Sequence, residues 1–76
     1  MHLLVETKFV IERMSGFGNT WLIQTGERGQ VWGPNRSRAR RFLTRGAAEE
    51  VVGPLRTVIK EPVTVVRLDE LCHVDD

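Results

Sequence analysis

The chain has 76 residues, 41% of them hydrophobic and 28% charged, with a net charge of +1. That is a single small domain, residues 1–76, apolar enough to rule out disorder and close to the size at which one core only just suffices. The near-balanced charge sets up no global field toward nucleic acid or membrane, and the lone cysteine, Cys72, can form no internal disulfide.

The first strand is predicted at Phe9–Met14, with the apolar run beginning as early as Leu3. Ser15-Gly16-Phe17-Gly18-Asn19 supplies turn chemistry, two of its residues being glycines free to take positive φ. A second strand follows at Thr20–Thr25, Gly26 to Gly29 make another tight connection, and Gln30–Trp32 is a short third strand. Gly33-Pro34 ends this meander, since proline cannot donate to a ladder. Arg36–Leu43 is an irregular or one-turn connector, and Thr44 is the candidate N-cap of a helix. Ala48, Val51, Val52 and Leu55 recur at the spacing of one helical stripe, and Gly53-Pro54 limits the element to two or three turns. A closing strand is expected at Val63–Leu68, followed by a polar C-terminal tail, 69–76.

This order gives an α+β fold, β-β-β-α-β, in two layers: a sheet of about four strands with a short helix on one face. Both side-chain phases of the strands carry apolar residues, for example Phe9 and Ile11 against Val10, or Val63 and Val65 against Val66 and Leu68. One short helix is a small lid for that much apolar surface. The expectation is an uncovered sheet face bearing Val10, Leu22, Trp32 and Val66, open to a partner, with Trp21 in the core beneath the helix; the equal alternative for Trp32 is that it caps the core's edge beside Pro34.

The hairpin, Trp32, the run Ala39-x-x-Phe42-x-Thr44, the alanine-containing helix and the closing strand together resemble many small proteins of bacterial viruses and prophages. The likeness spans Trp21 to Leu68. Ala39 and Phe42 would anchor the connector and Thr44 would cap the helix. Gly46 and Ala47 stand where such proteins often carry glutamates, so no capping box forms here. The resemblance implies action by binding host machinery, as an anti-CRISPR or other anti-defence inhibitor does.

Arg36, Arg38, Arg40, Arg41 and Arg45 form the one concentrated basic patch, with no acid between Glu27 and Glu49. Arginine forks match phosphate, which raises nucleic-acid contact as an alternative function, and they also suit an acidic protein surface; the plainer reading pairs them with Glu49, Glu50 or the acidic C-terminal end. Gly16-x-Gly18 lacks a third glycine and a following helix, so it is no dinucleotide fingerprint, and the RNA-recognition pattern around Gly16-Phe17-Gly18 lacks its flanking residues. Cys72, His73, Asp75 and Asp76 could ligate a metal only with help from a distant segment, where His2 is the one soft ligand; no metal and no cofactor are expected. Adjacent Cys72 and His73 on an extended chain point apart, so no thiol dyad forms, and no acid–base pair stands out.

Glu6 interrupts any signal-peptide core, no apolar run approaches the ~20 residues that span a bilayer, and a free thiol suits a reducing compartment. The expectation is a non-catalytic binding protein of the bacterial host cytoplasm. Its partner is a host protein or a second copy, with nucleic acid as the alternative and neither membrane nor small-molecule substrate.

Overall fold

The computed structural model describes the backbone of residues 2–16, 18–26 and 29–74, together with their side chains except those of residues 2 and 72–74. Four strands, β1 (His2–Ser15), β2 (Gly18–Gly26), β3 (Gly29–Gly33) and β4 (Val63–Val74), form one antiparallel sheet in the order β3-β2-β1-β4. Between β3 and β4 come a 3-10 turn at Arg36–Arg38 and a single helix, α1 (Arg45–Val58). The expected α+β architecture and element order are therefore present.

The two hairpins form where glycine relieves the backbone. Gly18 (φ 121°) and Gly29 (φ 111°) occupy the left-handed region at the first positions of β2 and β3. The Ser15 hydroxyl closes the first turn by donating to the Gly18 carbonyl at 2.7 Å.

At the start of α1 the Thr44 hydroxyl accepts from the Ala47 amide at 3.1 Å, as its position in the sequence predicts. The helix does not stop at Gly53-Pro54 but runs 14 residues with Pro54 inside it. Its buried stripe, Ala48, Val52 and Leu55, is held on the sheet, and that packing outweighs the backbone hydrogen bond that proline removes. The helix lies over β1 and β4, where Ile11, Leu22, Phe42, Val52 and Val63 make the core.

Two further features depart from expectation. β4 continues past Leu68 to Val74, so Asp69 to Val74 are strand rather than tail; they pair with β1 from Thr7 back to His2. And β1 pairs with β2 only from Glu12 to Ser15. Beyond that the connector bonds to both strands, while β2 carries a register shift in its pairing with β3 between Leu22 and Gln24. Arg40 N–H donates to the Leu22 carbonyl at 2.8 Å, while Phe42 and Phe9 exchange two backbone hydrogen bonds at 2.8 and 2.9 Å.

Candidate docking surface

Register decides which residues share a face, because direct antiparallel partners point the same way. Glu12 stands opposite Trp21, and Leu22 opposite Trp32. Leu22 therefore shares the phase of Ile11 and lies fully buried under the helix, with Trp32 packed against the same core and the Arg13 guanidinium 5.6 Å above its ring. Trp21 shares the phase of Val10 on the opposite face. Trp21 thus leaves the core face expected for it, and Trp32 packs against the core as its alternative reading has it, through a shift of one residue in the assumed pairing of β1 with β2.

Val10, Leu22, Trp32 and Val66 consequently do not form one uncovered face. Val10 and Val66 are direct partners on the side away from α1, but Val10 has 0% exposure. The half-buried Trp21 and the connector both lie on that side. Phe42 turns into the helix-side core, so in the extended stretch before it Ala39 and Arg41 turn the other way. Ala39 is buried there, and Arg41 reaches over β1 to Glu70 at 3.0 Å (Nε to Oε1). The chain thus supplies a second lid, and the middle of that face is closed.

The exposed apolar surface lies elsewhere. Past the Arg41–Glu70 contact, the outer ends of β1 and β4 run on together as a two-stranded arm along the 46 Å long axis of the molecule. Val5 pairs with Leu71, and Leu3 lies two residues along β1 on the same phase. They are 60%, 68% and 57% exposed. Leu4 is exposed on the reverse side. A polar band separates this patch from the core: Thr7 Oγ1 donates to Asp69 Oδ1 at 2.9 Å, and Arg67 Nε lies 3.2 Å from the same oxygen. The hydrogen bond from Thr7, then the one from Arg67, holds the Asp69 carboxyl below its ordinary pKa.

Hydrogen-bond parity shows which backbone groups the arm leaves open. Phe9 uses its N–H and C=O toward Phe42, away from β4, so the even-numbered residues of β1 face β4. Met14 N–H accordingly donates to the Pro62 carbonyl at 3.0 Å. By the register, the even residues of β4 bond β1 and its odd residues point outward. The Val63 carbonyl is taken by the Arg56 guanidinium at 3.2 Å (Nη2). Beyond it, the backbone groups of Val65, Arg67, Asp69 and Leu71 line an outer edge on which no strand lies among the described residues.

The basic patch is divided by the fold. Arg41 holds Glu70 and also donates through Nη1 to the carbonyls of Arg36, Ser37 and Ala39; among the described residues it is the one arginine of the five that pairs with an acid of the C-terminal end. The same contact holds the Glu70 carboxyl below its ordinary pKa. Arg40 lies 4.9 Å from the Phe42 ring centre and donates to Thr25 Oγ1 at 2.8 Å, and Arg45 lies 5.3 Å from that of Phe9. Arg36 and Arg38 are exposed and make no side-chain hydrogen bond or ion pair among the described residues. Two arginines on one 3-10 turn are what remains for phosphate.

Asp75, Asp76 and the Phe17 tip lie outside the described residues, as do the side chains of His2, Cys72 and His73. No described helix is long and apolar enough to cross a membrane. Comparison of the chain with family models, curated proteins and solved structures finds no match to any of them.

Proposed function

We propose that this is a small non-catalytic docking protein whose recognition element is the β1–β4 arm. The observation that carries the reading is an extended two-stranded ribbon with exposed apolar side chains on both sides and, among the described residues, no layer over either. Such a ribbon is marginal in water by itself, and exposed edges are normally blunted or covered. Fully burying a leucine or valine is worth about 1.5–3 kcal/mol, so covering Leu3, Val5 and Leu71 from their present exposure would supply roughly 3–5 kcal/mol. Added strand hydrogen bonds would bring this into the range of a specific, reversible complex.

The likeness to small phage and prophage proteins adds the class of partner: a bacterial host protein of the cytoplasm, such as a component of a defence system, held in an inhibited state. Recognition of nucleic acid is the weaker reading, because Arg40, Arg41 and Arg45 are engaged within the fold.

Affinity capture from a bacterial lysate, at low and moderate salt, tests the proposal with two variants. Leu3→Ser combined with Val5→Ser should abolish capture of a protein partner while leaving the circular-dichroism spectrum unchanged. Arg36→Ala with Arg38→Ala should leave capture intact. The opposite pattern, together with steep salt dependence and recovery of nucleic acid, would replace this reading with the phosphate-binding one.

A further inference from the structure

The outer edge of β4 is complementary to itself in one register. We infer that two copies of this chain join edge to edge through β4, antiparallel about a two-fold axis at Leu68, making one continuous eight-stranded sheet. The inference rests on the docking reading and assigns this edge to a second copy, leaving Leu3, Val5 and the β1 side of the arm for another partner.

With the axis at Leu68, Arg67 stands directly opposite Asp69 of the second copy and Asp69 opposite its Arg67. Val65 stands opposite Leu71 and Leu71 opposite Val65. All four are outward-bonding residues, so four pairs exchange about eight backbone hydrogen bonds. Neighbouring registers fail. Centring on Arg67 or on Asp69 puts like charges face to face. One residue further each way, centring on Val66 sets Val65 against Arg67, and centring on Glu70 sets Asp69 against Leu71. Charges on a strand edge commonly deter pairing. Here the adjacent opposite signs, already 3.2 Å apart within the strand, select one partner alignment instead.

The coverage of the sheet fits the same arrangement. The helix lies over the first half of β4, at Val63 and Val65, and leaves the second half, at Leu71, bare. Reversal about Leu68 sets each bare half beside the covered half of the other copy. Leu71, 68% exposed in the single chain, then meets Val65 at the margin of the partner's core.

Size-exclusion chromatography with light scattering on the whole chain should show a dimer. Arg67→Asp and Asp69→Arg should each weaken dimerisation roughly tenfold or more, because the two-fold axis doubles every like-charge contact. Mixing the two variants should restore a dimer containing one of each, since the two adjacent acids of the first then face the two adjacent arginines of the second. In a Cys72→Ser background, Leu68→Cys should form a symmetric disulfide, direct partners of this type lying ~4.5 Å apart at Cα, whereas Val66→Cys should not. A monomeric parent chain would overturn the inference, as would variants whose mixture fails to pair, or cross-linking at residue 66 in place of 68. If the monomer still captures a partner through Leu3 and Val5, the docking reading survives the failure of this one.

Discussion

Arg41 and Glu70, 29 residues apart, meet through two hydrogen bonds, Nε to Oε1 at 3.0 Å and Nη2 to Oε2 at 3.3 Å. The third nitrogen of the same guanidinium gathers the carbonyls of the 3-10 turn. One side chain therefore ties the connector across β1 to the far strand. Arg41→Ala should lower Tm by roughly 5 °C, since loop carbonyls lose their donor as well as the carboxylate its partner. Lysine at 41 should recover only part of this, lacking the planar fork. Arg38→Ala, on the same loop, should change stability by less than about 0.5 kcal/mol.

Acid should loosen the same ties. Glu70 is lowered in pKa by the Arg41 hydrogen bond, Glu61 by that of Arg13, and Asp69 by that of Thr7. A carboxyl whose folded pKa lies below its unfolded one contributes stability fully above the unfolded value, about 4, and loses it as pH falls through the folded value. The urea midpoint should hold between pH 7 and 5 and fall below about pH 4. In Glu70→Gln the fall should be shallower, which a pH series of urea titrations would measure.

Val10 and Val5 sit on the same strand, 0% and 60% exposed. Val10→Ala should cost roughly 2 kcal/mol in chemical denaturation, as in a closed core. Val5→Ala should cost less than about 0.5 kcal/mol at concentrations where no partner is bound. Similar losses at the two positions would contradict the connector's role as a lid.

The helix combines a favourable cap with an unfavourable interior proline. Thr44→Ala should remove the cap at a cost of about 1 kcal/mol. Pro54→Ala, at an exposed position, should restore the missing backbone donor and stabilise the protein by about 1–3 kcal/mol. Thermal melts of the two variants should move in opposite directions.

Gly33 is buried beside Ile23, whose Cδ1 occupies the place that a Cβ on Gly33 would take. Because that methyl is the rotatable end of a half-buried side chain and the Gly33 backbone suits any residue, Gly33→Ala should cost about 1 kcal/mol or less. Ile23→Val in the same chain removes the obstructing methyl and should recover most of that loss. A double-mutant cycle would read the coupling directly.

The elements legible in the sequence were those with local causes. Alternation placed the first three strands, glycines placed the hairpins, and Thr44 placed the helix start. What could not be read depended on distant partners. Asp69 and Glu70 look like the beginning of a polar tail until Thr7 and Arg41 are brought to them. Pro54 looks like a stop until Leu55 is seen packed behind it. The docking surface escapes the sequence for the same reason. Register between β1 and β2 sends Leu22 and Trp32 under the helix, and the connector's alternation at Ala39 and Phe42 closes both faces at once. A signal for the arm was present in the runs Leu3-Leu4-Val5 and Leu71-Cys72, which match as strand partners.

Because β1 closes against β4, with Thr7 and Asp69 separated by 62 positions, the sheet's longest pairing must wait until every element between them has been made. Contacts of such wide separation incur the entropy of loop closure before returning any of it, which slows folding at a given stability. During synthesis the opening segment leaves the ribosome without its mate, its leucines and valine exposed as a sticky, unzipped strand. Refolding should accordingly lag behind that of a helical chain this size, and truncation shortly before Val63 should yield an aggregating product rather than a smaller stable one.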